Sequence, residues 1–382
     1  MKEFPVSELK TQTYFTEPVY LDEDYILLAA DVPTTTDLLK RLKSWGYAHV
    51  LTDGETTQTA KELHPEASQG EIAQSLEDEE RKVRAETYFK SVVNFLESAF
   101  TVFKEKEELR ISDFADTVKE MIGEVKANRQ FMLNFEDGKT VASSHVITHS
   151  IKTAILTLAL VDYLKMPLFK QIDIGTAALL HQIGLLKIPE AVYLSEKPLS
   201  PSEKKVLMAH PILGFRILRA ASFPAVVCQA VLEHNERIDG TGFPRRVTGD
   251  KISLYGKIIA VASSYNAATS KRPYKPAIDG HSGLMDLVKN AGKKYDEKVL
   301  AALVYILSLY PIGTHIIMSN GALGRVVQSN QEDPKHPVVK LLVDENGTPY
   351  TNPPLVHTRE GDEVVISRTM NADELTKLKK IL

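Results

Sequence analysis

The sequence is poor in cysteine and in long uninterrupted hydrophobic runs, and both shortages exclude classes of protein. Its single cysteine, Cys228, rules out an intramolecular disulfide framework and suits a reducing compartment. The most apolar run, ILTLALVDYL, is too short and too interrupted to span a bilayer. The opening stretch MKEFPVSELK has no apolar core, so we expect no signal peptide, no membrane span and a cytoplasmic protein.

An excess of positive charge is also missing. The 46 Lys and Arg residues face 50 Asp and Glu residues, which leaves a formal net charge of −4. No overall basic field favours nucleic acid or an anionic membrane, and we predict no nucleic-acid partner. No glycine-rich loop ends in Lys-Ser or Lys-Thr, which excludes a P-loop nucleotidase.

The patterns that are present predict a multidomain α+β protein. Strand-like and helical stretches alternate at the start, long helical periods follow, and a period of two takes over near the end, where Asn320-Gly321 predicts a hairpin turn. We predict four parts: an N-terminal α/β accessory domain (1–66), a helical connector (67–129), an all-α helical bundle (130–312) and a small C-terminal β-barrel or sheet (313–382).

The connector carries one apolar stripe at helical spacing, from Phe89 to Phe103. Two interpretations fit this stripe. The helices pack on the bundle that follows, or they form a dimerising stalk. A homodimer is therefore one of the predicted states of the protein.

Four of the eleven histidines stand in a series of helix ends separated by apolar helices. They are His149 in ITHSIKTA, His181 in LLHQIG, His210 in MAHPILG and His234 in LEHNERIDGTGFP. Neutral imidazole is a common ligand of divalent metal ions. We predict that these four side chains face one pocket.

The segment from His149 to about Pro311 resembles an HD-GYP domain, the bacterial branch of the HD superfamily associated with cyclic di-GMP hydrolysis. The stretches KPLSPSEKKVLMAHPILGFRIL, ERIDGTGFP, GKIIAVASSYNAATSKRPYK and KKYDEKVLAALV follow the family pattern in order and spacing. The stretch YPIGTHIIMSNGALGRVVQSN resembles the β extension often attached to such domains. The resemblance implies that the bundle is of the HD type.

The resemblance also assigns site positions, some of which this sequence keeps. The four histidines match metal-ligand positions of the family. Arg272 and Lys275 match cations placed near the phosphodiester of the ligand. The motif loop is matched at four positions and departs at Phe243, where the family has tyrosine; its residues are Asp239, Gly240, Gly242, Phe243 and Pro244.

Other site positions depart from the family. Gln182 replaces the Asp of the His-Asp pair, Asn235 replaces the second His of a His-His pair, and Ser263 replaces the Asp of an Ala-Asp pair. Leu185 stands where a lysine lies near the active centre, and Asn266 where a further Asp is usual. Two divalent ions carry four positive charges, and carboxylates are needed to offset and bridge them.

Without those carboxylates the four imidazoles could hold one divalent ion, iron, manganese or zinc. A single ion lacks the bridged hydroxide that attacks phosphorus. His145, four residues before His149, is either a helix-start histidine or the partner of His149 in an i, i+4 metal clamp. The sequence therefore predicts a degenerate HD-GYP domain that is catalytically inactive.

Three functions remain open on the sequence. The first is a signalling module that binds cyclic di-GMP or a partner protein without hydrolysis. The second is an active cyclic di-GMP phosphodiesterase with an altered metal site. The third is a dimerisation or docking scaffold that binds no ligand.

Overall fold

The computed structural model describes residues 1–11, 13–21, 26–28, 33–57, 69–134, 145–195, 197–270, 278–330 and 333–381. The chain divides into two compact units, Met1–Arg81 and Lys82–Leu382. The multidomain α+β class predicted from the sequence is confirmed. The boundaries predicted at 66, 129 and 312 stay predictions.

The first unit is built on a small antiparallel sheet. Its strands and helix are β1 (Lys2–Pro5), β2 (Tyr14–Phe15), β3 (Val19–Tyr20), β4 (Ile26–Leu28), α1 (Thr36–Ser44), β5 (His49–Thr52) and β6 (Thr56–Thr57). The order in the sheet is β1-β5-β3-β4, and β2 pairs with β6. Thr35 caps α1 by accepting a hydrogen bond from the Leu38 amide at 3.1 Å, as the threonine-rich start of the helix predicts.

The second unit is mainly helical up to residue 307. Its α-helices are α2 (Gln69–Lys106, which begins in the first unit), α3 (Ile111–Ala127), α4 (Arg129–Leu133), α5 (His145–Tyr163), α6 (Leu168–Leu180), α7 (Glu190–Tyr193), α8 (Pro201–Leu207), α9 (His210–Ala220), α10 (Ala225–Glu233), α11 (Leu254–Thr269), α12 (Gly280–Val288) and α13 (Glu297–Leu307). A 3-10 helix, Ile183–Lys187, links α6 to α7, and another covers Gly249–Lys251.

One hydrophobic core joins the connector to the bundle. The apolar stripe of α2 and the buried face of α3, with Phe114 and Met121, share this core with α5. Helix α5 is buried on nearly every side, which explains its almost continuous apolar sequence. It is long and apolar enough to cross a membrane by composition, yet most of its length lies inside this core, as in the central helix of a bundle.

The end of the chain forms a five-stranded antiparallel sheet and a final helix. The elements are β7 (His315–Met318), β8 (Leu323–Gln328), β9 (Val338–Val343), β10 (Leu355–His357), β11 (Ile366–Thr369) and α14 (Ala372–Ile381), with the strand order β10-β9-β8-β7-β11. The hairpin of β7 and β8 turns at Asn320-Gly321, where Gly321 has φ +94°. This positive φ is the reason glycine is favoured there.

Candidate functional site

The ends of four helices bring the four predicted histidines together. His149 lies near the start of α5, His181 directly after α6, His210 at the first residue of α9 and His234 directly after α10. Ring centroids are 5.3 Å apart for His149 and His181, 4.9 Å for His181 and His234, and 5.2 Å for His210 and His234. All four side chains are buried. They form a continuous cluster, which we call the histidine cluster.

Three of these rings are held by the last turn of the preceding helix. In each, Nδ1 lies 2.6 to 2.7 Å from a backbone carbonyl oxygen three residues earlier. The pairs are His181 with Ala178, His210 with Leu207 and His234 with Val231. A carbonyl oxygen only accepts hydrogen bonds, so Nδ1 carries the proton and donates it. Each neutral ring is left with a lone pair on Nε2, the arrangement common in metal-binding histidines.

The amide of Asn235 lies between two of these lone pairs. Its Nδ2 is 2.7 Å from Nε2 of His234 and 3.2 Å from Nε2 of His210, and it donates to both. The two Nε2 atoms are 3.2 Å apart, close to the ~3.3 Å expected for two nitrogens on one tetrahedral zinc ion. Burial lowers the pKa of His210 to about 4, and burial with two neighbouring imidazoles holds the pKa of His234 well below its usual range. Both rings are therefore neutral at pH 7.

Three other substituted positions, Gln182, Leu185 and Ser263, line the same pocket, which has a volume of about 210 Å³. Ser263 Oγ lies 3.1 Å from Nε2 of His149, so a hydroxyl and an imidazole share a hydrogen bond at a family ligand position. Gln182 contributes an amide and Leu185 an apolar wall. The described lining residues are His145, Val146, His149, Gln182, Leu185, Tyr193, Leu207, His210, Asn235, Ser263, Ser264 and Ala267, and none is Asp or Glu.

Two buried carboxylates lie beside the cluster but are engaged elsewhere. Glu233 is fully buried, forms an ion pair with Arg245, and accepts hydrogen bonds from Gln229 Nε2 at 3.0 Å and from the Ser253 amide at 2.8 Å. Glu236 accepts a bond from the Arg245 amide through Oε1 at 2.7 Å, and its buried Oε2 has no hydrogen-bond partner among the described residues. These carboxylates fix the loop after α10 and are not among the pocket's lining residues.

The donor set does not fit a centre of two divalent ions. Within the described ranges, no three His, Cys, Asp or Glu side chains are placed as a ready-made metal site. This agrees with the position of Asn235, whose amide occupies the space between the best-placed pair of nitrogens. Neutral imidazoles provide donors for a single ion, but no carboxylate among the lining residues can bridge two.

Comparison with known proteins identifies the family. A family model described as an HD domain matches residues 139–299, and one described as a KOW domain associated with HD domain matches residues 315–378. The chain is 30% identical over 213 residues to the cyclic di-GMP phosphodiesterase PdeB of Borreliella burgdorferi, covering 56% of each chain. These matches support membership of the HD-GYP family for the helical part of the chain that they cover.

Two further relatives carry the names of cyclic-dinucleotide phosphodiesterases. The cyclic di-GMP phosphodiesterase PA4108 of Pseudomonas aeruginosa is 30% identical over 229 residues, 60% of this chain and 55% of the relative. The 3'3'-cGAMP-specific phosphodiesterase 3 of Vibrio cholerae is 32% identical over 169 residues, 44% and 37% of the two chains. The chain thus spans about half the length of the first two relatives.

A solved structure shares the fold. The structure described as Bd1817, a HDG"Y"P protein from Bdellovibrio bacteriovorus, superposes with a TM-score of 0.50 at 17% identity. The match covers 80% of this chain and 99% of the other.

The HD-GYP motif loop is shaped by its own hydrogen bonds. Asp239 accepts bonds from the Thr241 amide at 2.9 Å and the Thr241 hydroxyl at 2.7 Å, and these bonds lower the pKa of its carboxyl. Gly240 has φ +77°. A side chain at Gly242 would overlap the backbone of the preceding turn. Phe243, which leads into Pro244, places its ring edge-on to His210 with centroids 6.1 Å apart.

Three other predicted positions have different outcomes. His145 lines the pocket at the start of α5. Arg272 and Lys275 lie outside the described residues, so their predicted contact with phosphate stays a prediction. The sequence analysis does not predict the roles of Glu233 and Glu236; the available signal is that the two carboxylates flank His234-Asn235.

Proposed function

We propose that this HD-GYP protein is a signalling module that binds a cyclic dinucleotide without hydrolysing it. The observation that carries the proposal is the set of donors around the pocket. Buried neutral imidazoles are kept, and no carboxylate is found among the described lining residues of the pocket around the histidine cluster. We further propose that the protein acts in the cytoplasm.

Hydrolysis of a phosphodiester makes demands that this donor set does not meet. The activation barrier has to fall by about 20 kcal/mol. In metal-dependent hydrolysis the reduction comes from an activated hydroxide and from cations that stabilise charge on the phosphoryl oxygens. Gln182 and Ser263 offer no charge to hold a second ion, and Leu185 offers no cation.

A single divalent ion would need the cluster to rearrange, because no three described His, Cys, Asp or Glu side chains are placed as a ready-made metal site. His181, His210 and His234 would hold it through Nε2, after the Asn235 amide turns away from the two lone pairs. Such an ion would supply positive charge toward a phosphate oxygen of the ligand. We expect at most one equivalent of iron, manganese or zinc in purified protein, measured by elemental analysis. Two equivalents would contradict this proposal.

Binding of a cyclic dinucleotide does not need a metal-bound hydroxide. Relatives carry names that include cyclic di-GMP and 3'3'-cGAMP, which supports this ligand class. The predicted contact of Arg272 and Lys275 with phosphate would add charge-assisted hydrogen bonds, each worth about 1.5–3 kcal/mol. A partner protein and a homodimer are further predictions for the signalling state.

The phosphodiesterase names of the relatives favour a second candidate function, an active enzyme with an altered metal site. Both candidates bind the ligand, and they differ in turnover. The scaffold hypothesis differs from both because it predicts no binding.

Calorimetric titration of the full chain with cyclic di-GMP, with chelator and then with manganese, tests the proposal. We expect saturable binding under both conditions. The double substitution Arg272→Ala/Lys275→Ala should weaken binding about tenfold or more. The matched control Lys204→Ala/Lys205→Ala removes two exposed charges from α8 and should leave the affinity unchanged. No binding by the unmodified chain would contradict the proposed function and favour a scaffold.

A further inference from the structure

A second pocket lies against the first one. It has a volume of about 270 Å³, and the two pockets share Asn235 and Ser264 as lining residues. Its lining residues are His234, Asn235, Glu236, Arg237, Thr241, Gly242, Phe243, Ala260, Ser264 and Tyr295. The first pocket alone, at about 210 Å³, is smaller than the ~300–1,000 Å³ typical of small-molecule sites. Together the two pockets reach that range.

Arg237 is the cation of this second pocket. Its side chain is half-buried, and within the part of the chain that the structure describes its guanidinium has no hydrogen bond or ion pair. Of the neighbouring carboxylates, Asp239 accepts two hydrogen bonds from Thr241 and also interacts electrostatically with Arg237. Glu236 accepts the Arg245 amide through Oε1, while its buried Oε2 has no hydrogen-bond partner among the described residues. A guanidinium presents only donors, so Arg237 is suited to a ligand edge that presents only acceptors.

The walls of the pocket suit a planar group. The aromatic rings of Phe243 and Tyr295 both line it. The Tyr295 hydroxyl donates a hydrogen bond to Ser264 Oγ at 3.0 Å, which fixes the wall shared with the first pocket. Aromatic and guanidinium groups together are typical of sites that hold a nucleobase.

We propose that the second pocket receives a guanine base of the bound cyclic dinucleotide, and that Arg237 is the residue that selects guanine. This inference depends on the proposed function. Guanine presents two neighbouring acceptors, O6 and N7, which match the two parallel donors of an arginine. Adenine presents a donor, its N6 amino group, in place of O6, and that group faces the arginine donors unfavourably. A phosphate alone would make no use of the two aromatic walls.

The test compares cyclic di-GMP with cyclic di-AMP on three variants of the full chain. Arg237→Met removes the cation, and Arg237→Lys keeps the charge but loses the two-donor fork. Arg246→Met is the matched control because Arg246 is exposed, lies on the same loop and lines neither pocket. Circular dichroism and the thermal midpoint of unfolding establish that each variant is folded.

We expect the unmodified chain and Arg246→Met to prefer cyclic di-GMP. Both Arg237 variants should lose about tenfold in affinity for cyclic di-GMP, with cyclic di-AMP affinity unchanged. Full retention of cyclic di-GMP affinity in Arg237→Lys would indicate a phosphate contact and overturn the inference. Equal losses for both ligands, or none in Arg237→Met, would also overturn it. Failure of the unmodified chain to bind either ligand would instead contradict the proposed function.

Discussion

Replacing Arg245 by Met removes the cation that faces the buried carboxylate next to the histidine cluster. Glu233 is fully buried and directly precedes His234, so its ion pair and hydrogen bonds position the loop after α10. The substitution keeps a long apolar side chain but leaves the Glu233 charge without its ion-pair partner. The backbone bond from the Arg245 amide to Glu236 is unaffected.

The expected loss in the free energy of unfolding depends on the contacts that Glu233 keeps in the variant. Removing one partner of a fully buried ion pair costs about 3–5 kcal/mol, and a charge-assisted hydrogen bond contributes about 1.5–3 kcal/mol. The Arg245 side chain is 42% exposed, so water partly screens this pair. Glu233 also keeps its bonds from Gln229 and the Ser253 amide. We therefore expect the free energy of unfolding to fall by about 2–3 kcal/mol.

Urea denaturation with linear extrapolation measures this loss. Arg246→Met is the control, and as an exposed substitution it should stay within about 0.5 kcal/mol of the unmodified chain. The double variant Arg245→Met/Glu233→Gln should lose less than the two single losses combined, because no buried charge is left unpaired. Equal stability of the Arg245→Met and Arg246→Met variants would refute the reasoning.

Three further predictions concern the helices and the pocket. Arg84 donates a hydrogen bond to Glu124, and this bond together with the charge of Arg84 holds the pKa of the Glu124 carboxyl below its ordinary value near 4.5. The stability that the pair contributes is therefore present above that pH and is lost as the pH falls through the lowered pKa. When the free energy of unfolding is measured as the pH is lowered, Arg84→Gln should lose less stability than the unmodified chain, and identical curves would contradict this. Gly184→Ala should destabilise the protein by about 1–3 kcal/mol in urea, since a Cβ there would overlap the backbone at the start of α9; an unchanged midpoint would contradict the packing. Gln182→Asp/Ser263→Asp should raise bound manganese toward two equivalents by elemental analysis, because carboxylates can offset and bridge two ions; unchanged metal content would show that other donors limit the site.

Much of the fold could be predicted because its signals are local. The apolar stripe of α2 and the Asn320-Gly321 turn each specify an element within a few residues of sequence. The histidine cluster could be predicted because each of its rings lies at the end of an apolar helix or near its start. The Nδ1 bonds of His181 and His210 follow from those positions, since each ring meets the carbonyl three residues before it.

Other parts of the site depend on contacts between distant segments, which a single sequence does not reveal. The placement of the Asn235 amide between two imidazoles requires α9 and α10 to meet at a particular angle. In the sequence Glu233 looks like an ordinary surface carboxylate. Its burial and its role in holding the loop after α10 become visible only from its contacts with Arg245 and Ser253. The second pocket around Arg237 arises in the same way, from a loop folded against Tyr295.

We propose that this protein binds a cyclic dinucleotide but does not hydrolyse it. The most direct test is a turnover assay on the full chain over several hours with cyclic di-GMP and added manganese or ferrous iron. We predict no conversion above that of buffer alone, in a preparation that binds the ligand in calorimetry. Steady conversion to the linear dinucleotide or to GMP, abolished by His181→Ala, would contradict the claim and show an active phosphodiesterase.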